Sequence, residues 1–267
     1  MAETPLRTIS RDGTSLAFLE IEGAGPPVLL VHGWCCDHAY FAPQAEHFAA
    51  QGRRVIAVDL RGHGASDAPV QSYAMPGFAD DLAFLCGELG LERPLVVGHS
   101  MGGIVGFDLA ARRPELVGAL VMIDAAVALP AGARLAIPAF LEALRGPSYR
   151  EAQRAYVGSA LFLPTDDPER RERILDAMGA APQHVMVAAF EGLRDYDPEA
   201  ATARLETLAL YVAADEPIPR ADLVRLRALA PAMQYGQTVG SGHFCQLEVP
   251  EQVNAMIDRF EKVAAAG

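Results

Sequence analysis

Residues 95–103 read Leu-Val-Val-Gly-His-Ser-Met-Gly-Gly, and the interpretation of the whole chain starts from this stretch. Its first three residues are typical of a buried strand, and the residues after Ser100 begin a helical pattern that continues to about Arg113. The pattern G-x-S-x-G therefore lies where a strand turns sharply into a helix. Glycines beside the serine permit so tight a turn, and the first N–H groups of the helix point toward whatever bonds to the serine oxygen. The stretch predicts a reactive Ser100 rather than a serine that only caps its helix.

The regions on either side of this stretch alternate between short apolar runs and helical patterns. Near-continuous valine, isoleucine and leucine is what a strand buried on both faces requires. The runs predict an early antiparallel strand at 16–21 and further strands at 28–31, 55–58, 95–97, 119–123, 208–213 and 233–239. Apolar stripes at 76–89 and 253–260 predict helices. The expected fold class is α/β, with a mostly parallel sheet flanked by helices.

The alternation breaks between residues 130 and 200, where helical patterns occur without a convincing strand. We interpret this segment as an inserted helical lid, and residues 1–129 and 201–267 as the core. Ser148 and Glu151 have the spacing of a capping box, and Asp167-Pro168 has the pattern of an N-cap followed by the first helical residue. Two of the lid helices are therefore expected to begin at these positions.

A serine nucleophile needs a base, and the base needs an acid that orients it. His243 lies in a Gly-Ser-Gly-His-Phe loop between the last predicted strand and the last helix, where it should reach the sheet edge that carries Ser100. Asp215 follows the run 208–214, and Asp124 follows the run 119–123. We expect Asp215 to be the acid, because an aspartate in a turn before Glu-Pro has a free side chain. Asp124 stays open as the alternative acid.

Acyl transfer also needs N–H donors that face the developing negative charge. The turn after the nucleophile supplies the Met101 N–H, and the loop after strand 28–31 is expected to supply that of Trp34. The substrate pocket is expected to include Cys35, His99 and Phe244.

The loop 32–38 also contains two histidines and two adjacent cysteines, Cys35 and Cys36. Adjacent cysteines lack the spacing that lets two thiolates share one tetrahedral zinc ion, so no metal site is expected. Residues 59–67, Asp-Leu-Arg-Gly-His-Gly-Ala-Ser-Asp, only partly match a dinucleotide-binding loop because Asp67 replaces its third glycine. We interpret them as a structural turn and expect no cofactor.

Charge and composition exclude several classes of partner. The 267 residues carry 22 Lys and Arg against 34 Asp and Glu, a net charge of −12, which would repel nucleic acid and anionic lipid surfaces. The apolar stretch 116–133 is interrupted by Asp124, which favours a buried strand and a loop over a membrane span. Four irregularly spaced cysteines and a start, Met-Ala-Glu-Thr-Pro, without an export pattern indicate a cytoplasmic protein.

Several motifs together resemble the α/β-hydrolase family over nearly the whole chain. They are His32-Gly33-Trp34, Asp59-Leu-Arg-Gly-His-Gly64, the stretch 98–103, Asp215 and Gly242-His243. The resemblance implies Ser100 as nucleophile, Asp215 as acid, His243 as base, and Trp34 and Met101 as oxyanion donors. The chain departs from the family in one place, where Ala213-Ala214 replaces the usual glycine before the acid.

The expected activity is a serine hydrolase that cleaves a carboxylic ester or lactone of a small, largely apolar substrate through an acyl-enzyme. Two alternatives stay open because the scaffold hosts many reactions. The loops 33–38 and 242–244 are similar to those of cofactor-independent ring-cleaving dioxygenases, which place the acid after the sixth strand, where Asp124 stands. The other alternative is a ligand-sensing receptor. The expected partner is the small-molecule substrate, and a homodimer is possible.

Overall fold

A single eight-stranded sheet forms the centre of the molecule in the computed structural model, which describes residues 5–264. Residues 1–4, on which the expectation about export rests, and residues 265–267 lie outside the described part. The strands are β1 (Arg7–Arg11), β2 (Thr14–Ile21), β3 (Gly25–Val31), β4 (Arg53–Val58), β5 (Leu95–His99), β6 (Ala119–Ile123), β7 (Ala209–Ala213) and β8 (Gln234–Gln237).

The order of strands across the sheet is β1-β2-β4-β3-β5-β6-β7-β8. β1 pairs antiparallel with β2, β2 pairs antiparallel with β4, and every later neighbour is parallel. The strands β5 to β8 therefore end in sequence along one sheet edge. That edge carries Ser100, Asp124, Asp215 and the loop with His243.

Helices cover both faces of the sheet. They are α1 (Ala42–Ala50), α2 (Met75–Leu89), α3 (Met101–Arg112), α4 (Ala131–Arg145), α5 (Tyr149–Ala160), α6 (Pro168–Gly179), α7 (Gln183–Asp195), α8 (Pro198–Ala201), α9 (Leu223–Leu229), α10 (Cys245–Glu248) and α11 (Pro250–Ala264). Apolar residues of α1 and α11 pack on one face, and those of α2, α3 and α9 pack on the other. The predicted fold class is confirmed, because burial on both faces is what the continuous apolar strands require.

Residues 130–200 contain the helices α4 to α7, all of α8 except its last residue, and no strand; we call this segment the helical insertion. The α6 helix begins as predicted, because the Asp167 side chain accepts a hydrogen bond from the Arg170 N–H. The capping box predicted at Ser148 and Glu151 lacks the serine hydrogen bond that defines it. Ser148 does precede α5, but its side chain makes no capping hydrogen bond.

The apolar patterns located seven of the eight strands and missed β1, whose sequence Arg-Thr-Ile-Ser-Arg is largely exposed. An exposed edge strand lacks the apolar run that marks a buried one. The Asp12-Gly13 turn between β1 and β2 is the signal that would have predicted this hairpin. In the stretch 116–133, β6 is followed by a loop, and among the described residues no helix is long and apolar enough to cross a membrane.

Candidate active site

Ser100 lies between β5 and α3 in a strained backbone conformation. Its φ of 53° and ψ of −120° are unusual for a residue with a side chain, and they lift the hydroxyl out of the sheet. A methyl group on Gly98 would lie 2.3 Å from the Gly102 carbonyl oxygen, and one on Gly102 would lie 2.0 Å from that of Val31. The glycines around Ser100 are therefore required by close backbone contacts, as the sequence pattern indicates.

His243 and Asp124 form a buried hydrogen-bonded pair beside this turn. The Nδ1 atom of His243 lies 2.6 Å from Oδ2 of Asp124, and both side chains are almost completely buried. Because an ionised carboxylate can only accept, His243 donates through Nδ1 and keeps Nε2 free for a second partner. The other Asp124 oxygen accepts from the Ala214 N–H at 3.3 Å.

Asp215 forms no hydrogen bond or ion pair with His243, and the prediction that it orients the base is wrong in this structure. It lies two residues beyond the end of β7 and is exposed, and its carboxylate accepts from the Gly240 N–H at 2.9 Å. Its own N–H donates to the Ser241 carbonyl oxygen. One residue, Ala214, separates Asp215 from the end of β7, whereas Asp124 follows β6 directly at a φ of 44°. Asp215 therefore stabilises the loop that leads to His243, and Asp124 holds the ring.

Burial determines the protonation states of the pair. It lowers the pKa of His243 well below the usual value, and the nearby Arg220 charge lowers this pKa further. Burial raises the pKa of Asp124, whereas Arg220 and the Ala214 N–H act in the opposite direction. The imidazole is thus neutral near pH 7, which is the state in which it can accept a proton.

The hydroxyl of Ser100 makes no hydrogen bond with any residue in the range 5–264. The elements that carry the serine and the imidazole are nevertheless in contact, because the ring of His99 lies 4.6 Å from that of His243. The Nε2–H of His99 also donates to the His243 carbonyl oxygen at 2.9 Å.

Of the predicted pocket residues, His99 and Phe244 lie beside the base and Cys35 lies next to Trp34. Burial lowers the pKa of His99 to about 3, so this residue is a neutral support for the His243 backbone. Phe244 contacts Phe162 of the helical insertion, with ring centroids 5.4 Å apart. All three are buried, so their contact with a substrate stays a prediction.

Two backbone N–H groups are available near Ser100. A methyl group on Gly33 would lie 3.2 Å from the Ser100 Cβ, so the backbone that leads to Trp34 passes directly beside the serine. Within the described residues, the N–H groups of Trp34 and Met101 donate no hydrogen bond. Unpaired donors near a nucleophile are what an oxyanion hole requires, and the role of Trp34 and Met101 as oxyanion donors stays a prediction.

The helical insertion packs onto this loop. The Trp34 indole Nε1–H donates to the Met186 carbonyl oxygen at 3.0 Å. Its ring makes edge contacts with Phe140 and Phe190, at centroid distances of 6.0 and 5.1 Å. Tyr156 stacks on Phe140 at 4.2 Å. The insertion thus places an aromatic cluster over the Trp34 end of the site.

Two charged residues that the sequence analysis did not identify complete the site. Arg220 lies with its Nε 3.5 Å from Asp124 Oδ2, and Glu216 accepts from the Arg220 Nη2 at 2.6 Å. Ligand atoms of Asp124, Glu216 and His243 all lie within 4.8 Å of one another. The set does not fit a metal ion well, because the guanidinium already supplies positive charge there and His243 Nδ1 is bonded to Asp124. No motif predicts this pair, since both residues lie in an irregular loop after β7.

Comparisons with known proteins agree with the fold. The family model for the alpha/beta hydrolase fold matches residues 26–250. The AB hydrolase superfamily protein YisY of Bacillus subtilis is 30% identical over 254 residues, which cover 91% of this chain and 94% of that protein. A thermophilic esterase from Thermogutta terrifontis superposes with a TM-score of 0.84 at 26% identity, covering 97% of this chain and 98% of the esterase.

An enol-lactonase from Burkholderia xenovorans superposes with a TM-score of 0.85 at 20% identity, covering 96% of this chain and all of the lactonase chain. At that identity the likeness concerns the fold alone.

Proposed function

Since the chain belongs to the α/β-hydrolase fold family, we propose that it is a serine hydrolase that cleaves a carboxylic ester or lactone of a small, largely apolar substrate. The observation that carries the proposal is the strained turn at Ser100, which follows His99, whose ring packs against the neutral, buried imidazole of His243. This arrangement supports acyl transfer, because nucleophile, base and oxyanion donors occur together.

In the proposed reaction the Ser100 oxygen attacks the ester carbonyl carbon while His243 Nε2 takes the hydroxyl proton. The Trp34 and Met101 N–H groups donate to the resulting oxyanion, and one such donor contributes about 3 kcal/mol in known cases. His243 then gives its proton to the leaving alkoxide. A water molecule then attacks the acyl-enzyme while His243 takes its proton, and His243 returns a proton to the Ser100 oxygen as the acid leaves. Asp124 holds the ring in both steps.

The substrate class follows from the surroundings of Ser100. The helical insertion contributes the aromatic residues Phe140, Tyr156, Phe162 and Phe190, which favour an apolar acyl or alcohol group. We propose that the insertion acts as a lid that limits substrate size. The likeness to the Thermogutta terrifontis esterase, at 26% identity, supports a carboxylic ester as the bond that is cleaved.

Replacing the nucleophile tests the proposal directly. Ser100→Ala is expected to reduce hydrolysis of a nitrophenyl ester by about 10⁴-fold or more without loss of folding, because the acyl-enzyme cannot form. Ser159→Ala, on the exposed face of α5, is the control and should retain wild-type activity. Mass spectrometry after a fluorophosphonate probe should find one adduct, on Ser100. Undiminished turnover by Ser100→Ala would refute the nucleophile assignment.

The position of Asp124 after β6 favours a second candidate, a cofactor-independent dioxygenase, because the resemblance places that family's acid there. In that reaction the His243–Asp124 pair deprotonates the substrate and Ser100 is not a nucleophile. The two candidates differ in one measurement, oxygen uptake with a hydroxylated heteroaromatic compound. A dioxygenase would consume oxygen and retain substantial activity as Ser100→Ala, whereas the hydrolase would do neither.

A further inference from the structure

Arg220 is a buried cation directly beside the proposed catalytic acid. Its Nε lies 3.5 Å from Asp124 Oδ2, the same oxygen that accepts from His243. Only 20% of its side chain is exposed, and the Nε has no hydrogen-bond partner among the described residues. One carboxylate oxygen therefore faces an imidazole and a guanidinium at once.

Two further groups hold the guanidinium in place. Glu216, four residues earlier in the same loop, accepts from its Nη2 at 2.6 Å. The Nη2 also donates to the Ala160 carbonyl oxygen at the end of α5. The core and the helical insertion thus both hold Arg220 through its Nη2.

We propose that Arg220 and Glu216 are positioning residues that control the charge on the His243–Asp124 pair. With a neutral imidazole the cluster of Asp124, Glu216, Arg220 and His243 carries a net charge of −1, and an imidazolium makes it neutral. Arg220 opposes the imidazolium and Glu216 favours it, and both effects are stronger in a buried site than in water. The inference rests on the proposed function for its meaning in catalysis.

Arg220 offsets the effect that burial has on the protonation of Asp124, and Glu216 moderates the effect of Arg220 on His243. Burial alone raises the pKa of Asp124 and so favours its protonated form. A protonated carboxyl group accepts the hydrogen bond from the imidazole N–H more weakly than a carboxylate does. The Arg220 charge counters this effect and also keeps His243 unprotonated. The Glu216 carboxylate offsets part of the repulsion between Arg220 and the imidazolium that forms at His243 during the reaction. A net charge of −1 also argues against Arg220 as a binding site for an anionic substrate.

Four other titratable groups lie around the cluster. Burial lowers the pKa of His99 to about 3, and it raises the pKa values of Tyr156, Tyr211 and Cys245. These four groups are neutral around pH 7.

On the opposite side of the His243 loop, Glu248 accepts from the Gly242 N–H and pairs with Arg170, and Asp166 lies beside Gly242. Burial raises the pKa of Glu248. The test therefore has to read His243 itself.

The experiment measures the midpoint of the His243 ring titration by NMR, with the signal assigned from a His243→Gln spectrum, and the acidic limb of kcat/KM on a nitrophenyl ester. Arg220→Gln should move both midpoints to higher pH by on the order of one pH unit. Glu216→Gln should move them in the opposite direction. Arg220→Lys, which retains the charge, should stay near the wild type, as should Arg225→Gln, which removes an exposed arginine of α9.

If Arg220 and Glu216 had only a structural role, Arg220→Gln and Glu216→Gln would lower kcat and move neither midpoint. That result would overturn the proposal. Equal midpoints in Arg220→Gln and Arg220→Lys, or shifts in the same direction for Arg220→Gln and Glu216→Gln, would overturn it as well. The NMR measurement needs no hydrolysis. If no ester is cleaved but the titration shifts as expected, the charge control stands and only the proposed reaction fails.

Discussion

Two neighbouring strands of the sheet are each followed by an aspartate, and the two aspartates have different contacts. Asp124 directly follows β6, is buried and bonds the His243 ring. Asp215 follows β7 after one more residue, is exposed and accepts from the Gly240 N–H. The difference comes from where each carboxylate lies relative to the loop after β8, which carries His243 and also supplies the Gly240 N–H. A strand-end carboxylate is therefore a candidate acid only when its register with the base is known.

The largest expected effect separates the two aspartates by activity. Asp124→Asn should lower kcat by about 10⁴-fold, because an amide at this position favours the wrong imidazole tautomer and cannot stabilise the imidazolium. The positive φ of Asp124 should not confound the result, since asparagine tolerates this conformation. Steady-state kinetics on a nitrophenyl ester measures the drop, and circular dichroism checks the fold.

A near-normal rate in Asp124→Asn together with a lost rate in Asp215→Asn would reverse the comparison. It would mean that the loop after β7 rearranges in solution so that Asp215 reaches His243. The double variant would then be no worse than Asp215→Asn alone.

A third strand-end aspartate, Asp59 after β4, sharpens the comparison through stability. It is fully buried and accepts from the His38 N–H at 2.7 Å, the His38 Nδ1 at 2.9 Å and the Ala65 N–H at 2.8 Å. Burial raises the pKa of Asp59, but these bonds outweigh it and leave the pKa below its usual value. Asp59→Asn should therefore lower the free energy of unfolding at pH 7 by about 2–4 kcal/mol, since buried donors lose a charged acceptor.

The pH dependence of this loss has a definite sign. A carboxylate with a lowered pKa stabilises the fold above its unfolded pKa of about 4, and the stabilisation disappears as the pH falls through the folded value. The difference between wild type and Asp59→Asn should therefore shrink below about pH 4. Denaturant unfolding at several pH values measures it, and a difference independent of pH would show that Asp59 contributes only through its shape.

The smallest effect is expected at Asp215. Asp215→Asn retains an acceptor for the Gly240 N–H, so activity should stay within about tenfold of wild type and stability within about 1 kcal/mol. Asp215→Ala removes the acceptor and should raise KM or lower kcat slightly more, because the loop that leads to His243 loses one support. Thermal unfolding and kinetics on both variants check this, and a loss as large as that of Asp124→Asn would contradict it.

Much of the fold could be predicted because burial on both faces imposes continuous apolar runs. The strand after residue 118 was predicted with the bounds that β6 has, and the strand that precedes Ser100 differed by two residues from β5. The exposed β1 was missed for the same physical reason, since an edge strand needs no such run. The capping box at Ser148 failed because spacing alone does not orient a side chain.

The site divides in the same way. Ser100 depends on a local turn and on glycines that touch neighbouring backbone, so a short motif is sufficient to locate it. Asp124, Arg220 and Glu216 meet His243 only through the order and lengths of β6, β7 and the loops after them. Spacing in the sequence carries no information about which of several carboxylates comes within 3 Å of one imidazole.

The amino-acid sequence by itself determined the layered sheet, the turn that exposes Ser100 and the loop that carries His243, because these follow from local burial patterns and backbone sterics. Only the tertiary structure decided which aspartate holds the histidine and that an arginine lies beside this aspartate. The physical reason is the short range of hydrogen bonds and of buried charge pairs, which depend on ångström-scale distances between residues far apart in the chain.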